Sequence, residues 1–263
     1  MPTPEIGEWP EKRQHALALL SEIDSAIPLL SHTGDGWVAV TAGAYLARCR
    51  RLVLAMDLLR ENYMIDVTNL PLRPLLECWW VAMWLLDEGE PALEKLQADW
   101  RDATDKINRL AEMGWDPEQF PRGEKLPSWE SISRWVGDRL EASGQANARE
   151  YVESTYNSVY RAESLFSIHA GLGAVLNHFT GSTGAVELLP VRADAGDGRG
   201  EFLWASVLVS LLASRVFEVF GLDTGRIDTL TINMLPEFPE DSPQLPPHQP
   251  PDFPRRNAAP DGS

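Results

Sequence analysis

Apolar residues recur at intervals of three and four along almost the whole chain. In the first such stretch they form a single stripe, made of Ala16, Leu19, Leu20, Ile23, Ile27 and Leu30. The strict alternation of apolar and polar residues that marks a half-buried strand is nearly absent. The sequence therefore predicts an all-α fold, a single-domain bundle of seven to nine helices.

Glycine, proline and capping residues set the predicted helix boundaries. We expect helices over residues 11–30, 38–63, 72–87, 91–113, 147–179, 202–220 and 226–234, and one from the N-cap Ser128 to Ala142. Gly221 is the expected C-terminal cap of the 202–220 helix. A glycine-rich insertion over 181–200 interrupts the pattern, and a short strand is predicted within it over 185–192.

The composition changes abruptly at Pro236. Nine of the last 28 residues are proline and four Pro-x-x-Pro repeats occur, while aliphatic residues almost disappear. Such a segment is typical of a disordered tail, and it also resembles the ligands of proline-binding domains. We predict a flexible N-terminus over 1–10, a helical domain over 11–235 and a disordered proline-rich tail over 236–263.

Charge and hydropathy restrict the partners and the compartment. The net charge of the 263 residues is -16, of which only -3 lies in the tail, so the acidity belongs to the folded surface. This disfavours an extended nucleic-acid footprint, because phosphates would be repelled. The strongly apolar uncharged runs 78–86 and 202–214 are too short to span a bilayer, and residues 1–14 lack the layout of a secretory signal. We expect a soluble cytoplasmic protein with no membrane partner.

The two cysteines, Cys49 and Cys78, both lie inside apolar helical patterns. Two cysteines cannot build a disulfide framework, and no Cys-x-x-Cys motif occurs. We interpret both as small buried hydrophobic residues.

The predicted helix over 72–87 is apolar nearly all round, which is typical of a central helix. Arg73 and Glu77 lie within it, one turn apart, where they can pair. A buried charge requires a partner. Two interpretations stay open: an internal ion pair that fixes the helix register, or an arginine that binds an anion while Glu77 acts as a base.

A second polar group follows the pattern Tyr160-Arg161-x2-Ser164-x4-His169. On a continuous helix Arg161, Ser164 and His169 share a broad face. His169 is either a core histidine with satisfied nitrogens or a catalytic acid/base. Together with Arg73 and Glu77, Arg161 is expected among the few interior charges.

Leu72-Arg73-Pro74-Leu75-Leu76-Glu77, followed by the motif that ends at His169, resembles an uncharacterised helical bacterial family, domain of unknown function 5677. The resemblance covers about residues 38–179. It implies an all-helical fold in which Arg73, Glu77 and His169 meet in one interior polar site. It implies no established activity.

A looser resemblance is to the helical HEPN-type ribonucleases of bacterial defence and toxin systems. Their motif places four to six residues between an arginine and a histidine, which assist attack of the 2′-hydroxyl on the phosphate. Here seven residues separate Arg161 from His169, and one extra residue rotates the histidine by about 100°.

Other chemistry-bearing motifs are absent from the sequence. No Glu-x-x-His pair, His-Glu-x-x-His motif or phosphate-binding glycine loop occurs, so neither a metal site nor a cofactor is expected. Trp79, Trp80 and Trp84 could line an apolar ligand pocket, although tryptophans at helical spacing are also typical of a core.

Three functions stay open at this point, and whether the protein is an enzyme is undecided. The first is a non-catalytic binding or interaction module with an interior Arg-Glu-His network. The second is a defence- or toxin-type ribonuclease that uses His169 as acid/base and Arg73 or Arg161 as phosphate clamp. The third is a small-molecule binder with a tryptophan-lined pocket.

The candidate catalytic residues are His169, Glu77 and Arg73, and the candidate substrate-binding residues are Arg161, Ser164, Tyr160 and Trp80. The partner is an unidentified protein or small molecule, and a homo-oligomer stays open.

Overall fold

A computed structural model describes residues 8–33, 36–64, 68–111, 123–161, 179–182, 185–188 and 197–235. Its elements are α1 (Trp9–Thr33), α2 (Trp37–Glu61), α3 (Leu72–Glu88), α4 (Glu90–Ala111), α5 (Trp129–Ala142), α6 (Ala148–Ser154), a π-helix (Thr155–Tyr160), β1 (Phe179–Ser182), β2 (Ala185–Leu188), α7 (Arg199–Val219) and α8 (Gly225–Met234). Eight α-helices within the described residues confirm the predicted all-α class.

Local sequence signals set several boundaries correctly. The Ser128 hydroxyl accepts a hydrogen bond from the Ser131 amide at 3.2 Å, as an N-cap does. Gly221 follows the end of α7 with φ +67°, a left-handed conformation that favours glycine. Both capping predictions are confirmed, and the predicted ends of α2, α3 and α8 are correct to within two residues.

The predicted long helix over 147–179 is wrong at its C-terminal end. Phe179 begins β1, which pairs antiparallel with β2 in the register Phe179↔Leu188 and Ser182↔Ala185. The predicted strand over 185–192 is described over Ala185–Leu188. The predictions for residues 1–7, 112–122 and 236–263 lie outside the described residues.

Helix α3 is the central element of the bundle. It contacts α2, α4, α5, α7 and the π-helix. Eleven of its side chains are buried, namely Leu72 and ten between Leu75 and Leu85. Trp79 Nε1 donates a hydrogen bond to the Leu208 carbonyl of α7 at 2.7 Å. Because indole N–H groups lose water on burial, this bond removes a desolvation cost in the middle of the core.

Helices α1 and α2 are joined by a buried carboxylate. Asp57, only 3% exposed, accepts two hydrogen bonds from Arg13 at 2.9 and 2.7 Å and a third from Arg60 at 3.2 Å. Burial raises the pKa of Asp57, but the hydrogen bonds from Arg13 and Arg60 outweigh burial and hold it below 3.8. The charge is therefore retained inside the bundle because two guanidinium groups surround it.

Cys49 of α2 and Cys78 of α3 are both buried and unbridged, as the sequence indicates. The Cys49 thiol lies 3.9 Å from the Leu75 carbonyl. A hydrogen bond between the two thiols raises the pKa of Cys49 and lowers that of Cys78. The pair lies where α2 and α3 pack together.

Helix α7 is the one described helix long and apolar enough to cross a membrane by length and composition. The helix extends beyond the uncharged run 202–214 at both ends, into Arg199 and Glu201 at its start and Arg215 and Glu218 at its end. However, 67% of its most apolar window is buried within the bundle. That burial is typical of a core helix.

Candidate functional site

Three polar side chains meet where α3 faces the end of the π-helix. Arg73 Nε donates a hydrogen bond to Glu77 Oε1 at 3.1 Å. The Tyr160 hydroxyl donates to the same Glu77 oxygen at 3.0 Å and accepts from Arg73 Nη2 at 3.3 Å. The three bonds close a triangle, which we call the Arg73–Glu77–Tyr160 network.

The local sequence brings Arg73 and Glu77 together without help from the tertiary structure. Both lie on α3 one turn apart, so their side chains share a face. Pro74 occupies the first turn, where the missing N–H costs no helical hydrogen bond. This half of the site follows from the spacing alone.

The π-helix decides the direction of Tyr160. Its i→i+5 bonds place about one extra residue in a turn, which rotates the following side chains relative to an uninterrupted α-helix. The Tyr160 ring stacks on Tyr156 at 5.2 Å and meets the Trp80 ring edge-on at 5.4 Å between centroids. These ring contacts hold the phenol over Glu77.

The electrostatics of the network keep Tyr160 protonated. Burial first, and then the Glu77 carboxylate, raise its pKa from 10.0 to about 12, although the Arg73 charge acts in the opposite direction. The Arg73 guanidinium carbon lies 4.9 Å from the centre of the phenol ring. Burial lowers the pKa of Arg73, but its bonds to Glu77 and Tyr160 raise it overall.

This protonation pattern limits the chemistry of the network. At neutral pH the phenol is a hydrogen-bond donor and not a base, and the guanidinium is engaged by a carboxylate. The Arg73 and Glu77 side chains are 22% and 26% exposed, so the network lies at the edge of the core. The arrangement is well suited to join α3 to the π-helix.

A cavity of about 430 Å³ lies beside this junction, between the loop before α3, the α6 and π-helix segment and the start of α7. Its polar lining includes Tyr151, Ser154, Ser158 and Glu201, and Trp204 forms part of its wall. This cavity was not predicted from the sequence, because its walls come from segments far apart along the chain. The spacing of Tyr151, Ser154 and Ser158 could have indicated one hydroxyl-bearing helix face.

Protein-family models, curated proteins and solved structures contain no match to this chain. The resemblance to domain of unknown function 5677 therefore stays a prediction.

The structure brings together three of the seven candidate site residues: Arg73, Glu77 and Tyr160. Trp80 lies beneath them, fully buried against the tyrosine rings. The prediction that Arg161 is an interior charge is wrong. It is exposed, since it follows Tyr160 directly and the next position on a helix points elsewhere. Ser164 and His169 lie outside the described residues.

The remaining candidates occupy the core. Trp79 and Trp84 are 2% and 6% exposed, and neither lines the 430 Å³ cavity. Within the described part of the chain no group of three or more His, Cys, Asp or Glu side chains is placed to hold a metal ion.

Proposed function

We propose that this protein is a soluble, cytoplasmic, non-catalytic binding module. In this proposal the Arg73–Glu77–Tyr160 network specifies how the π-helix packs on α3, and the surface binds a small molecule or a protein. The observation that carries the proposal is the closed triangle of hydrogen bonds at 3.1, 3.0 and 3.3 Å. The three side chains are thereby directed at one another across two helical segments, which favours a structural role for them.

The state of the phenol supports the same conclusion. General acid/base catalysis is most efficient when the pKa lies near the working pH, and the pKa of Tyr160 is raised to about 12. As the resemblance to domain of unknown function 5677 implies, His169 would be a further member of this interior network. Its role in our proposal is structural.

A defence- or toxin-type ribonuclease is the second candidate, and the exposed position of Arg161 favours it. An exposed guanidinium next to the network is accessible to a phosphate. In this alternative His169 acts as acid/base and Arg161 as phosphate clamp.

The deciding experiment is RNA cleavage by the wild type, His169→Ala and Arg161→Gln, each with its helical circular dichroism recorded. The binding-module proposal predicts no cleavage above background by any of the three. Cleavage by the wild type that is lost in folded His169→Ala would overturn it in favour of the ribonuclease. Tyr63→Phe is the control for effects of preparing and assaying a variant protein, because Tyr63 is 87% exposed.

A further inference from the structure

The cavity beside the Arg73–Glu77–Tyr160 network has the size of a small-molecule site. Its volume is about 430 Å³, within the range of about 300–1,000 Å³ that such sites occupy. Rigid elements form its walls, namely the first turn of α7 and the α6 and π-helix segment. A ligand there would meet side chains already held by helices.

The described residues that line the cavity carry negative charge only. Glu201 is the one acidic residue among its described lining residues, and none of them is basic. Arg199, in the same turn of α7, is engaged by Asp197 at 3.3 Å. A half-buried carboxylate without a lining cation favours a positively charged occupant.

The neutral groups around Glu201 present oxygen atoms to the same space. Trp204 Nε1 donates to the Tyr151 hydroxyl, whose pKa is raised by burial, so the phenol stays neutral. Ser158 Oγ donates to the Ser154 carbonyl at 2.6 Å, which leaves its lone pairs as acceptors. Hydroxyl and carboxylate acceptors together with two aromatic rings match an ammonium group that carries an apolar part.

We propose that this cavity binds a small protonated amine, with Glu201 as the counter-ion and Tyr151 and Trp204 as the aromatic walls. This inference rests on the proposed function, since it names the ligand class of a binding module. The net charge of -16 adds to it, because an acidic surface raises the local concentration of cations.

A second cavity, of about 560 Å³, lies between α3, α5 and α7 and differs from the first in how its charged groups are paired. Its charged groups already have ion-pair partners: Arg215 pairs with Asp87 at 3.1 Å and with Glu218 at 3.4 Å, and Arg139 pairs with Glu88 at 3.6 Å. A charged ligand there would have to displace existing ion pairs. The 430 Å³ cavity requires no such exchange.

The test is isothermal titration of the full chain with 2-phenylethylamine and with the neutral isostere 2-phenylethanol. Wild type is compared with Glu201→Gln, which keeps the shape of the side chain, and with Glu218→Gln, which removes one charge from the other end of α7. We expect the amine to bind more tightly than the alcohol, and Glu201→Gln to weaken amine binding about tenfold, as loss of a charge-assisted bond does. Glu218→Gln should bind as the wild type does.

A second variant tests the cavity itself. Ser158→Leu places a large side chain into the space from an exposed position, and it should abolish binding of the amine while circular dichroism stays unchanged. Equal affinity of amine and alcohol, equal affinity of wild type and Glu201→Gln, or no binding at millimolar amine would overturn the inference. RNA cleavage that requires His169 would instead overturn the proposed function, so the two failures are distinguishable.

Discussion

The Tyr160 hydroxyl donates a hydrogen bond to Glu77 Oε1 at 3.0 Å across 83 positions of sequence. Together with the Arg73–Tyr160 hydrogen bond and the Trp80–Tyr160 ring contact, it links the central helix α3 to the end of the π-helix. It also brings a neutral donor to a carboxylate that Arg73 already holds. The bond therefore adds long-range order to a pair that the local sequence forms by itself.

Replacement of Tyr160 by Phe tests this contact. We expect the free energy of unfolding to fall by about 1–2 kcal/mol, because a donor to a charged acceptor is lost while the ring contacts with Trp80 and Tyr156 remain. Urea denaturation followed by circular dichroism measures the change. Tyr63→Phe, at an exposed position, should change stability by less than about 0.5 kcal/mol; equal effects would contradict the role of the hydroxyl.

The raised pKa of Tyr160 predicts a specific alkaline behaviour. Because the folded-state value is about 12 against an ordinary 10.0, its stabilising contribution is complete below pH 10. It is lost as the pH rises towards 12, since the unfolded chain releases the proton first. The stability difference between wild type and Tyr160→Phe should shrink over this window. A difference that is constant between pH 9 and 12 would show that the phenol titrates normally.

Arg73 and Glu77 should be coupled more strongly than an exposed pair of the same spacing. A double-mutant cycle with Arg73→Met and Glu77→Gln is expected to give about 1–2 kcal/mol, since both groups are partly desolvated and share Tyr160. Glu130 and Arg134, 58% and 57% exposed at the same spacing, form the reference pair and should give about 0.3–0.5 kcal/mol. A coupling energy no larger than that of the reference pair would show that Arg73 and Glu77 behave as an ordinary surface ion pair.

The lowered pKa of Asp57 predicts how the free energy of unfolding falls at acid pH. Its folded-state pKa lies below 3.8 because the bonds from Arg13 and Arg60 outweigh burial. Its contribution is thus present above pH 3.8 and is lost as the pH falls through the folded-state value. Asp57→Asn should lower stability at pH 7 by about 3 kcal/mol, because Arg13 and Arg60 lose their buried counter-charge and keep only the more exposed Glu61. The gap between wild type and variant, followed by urea unfolding, should narrow below pH 3.8; a gap independent of pH would assign the effect to packing.

A comparison of alanine substitutions at Gly198 and Gly221 distinguishes the cost of backbone strain from the cost of a side-chain contact. Both have positive φ, +71° and +67°, but a Cβ at Gly198 would lie 3.0 Å from Thr68 Cγ2, whereas a Cβ at Gly221 meets open space. Gly221→Ala should cost about 1 kcal/mol, and Gly198→Ala more. In a Thr68→Ser background, which lacks Cγ2, thermal unfolding should show equal costs. A persistent difference would point to another contact.

Periodicity was sufficient to predict α3, the helix that carries Arg73 and Glu77. The apolar residues from Leu72 to Asp87 predicted a buried central helix, and the four-residue spacing predicted the pair of Arg73 and Glu77. Both predictions depend on contacts within one or two turns, and such contacts are encoded locally.

The spacing of residues within one helix could not predict which side chains of other helices would contact them. The π-helix leaves no mark in apolar spacing, so the rotation that aims Tyr160 at Glu77 and leaves Arg161 exposed was not predicted. The hairpin at Phe179 was missed for a similar reason, since four-residue strands are too short for a clear alternation.

The sequence by itself determined the all-α class, the central position of α3 and the pairing of Arg73 with Glu77, because each follows from side chains one turn apart. The tertiary structure alone decided that Tyr160 completes the network and that Glu201 lines a cavity with Tyr151. Those neighbours come from separate helices, and their meeting depends on how whole helices pack, which no local spacing specifies.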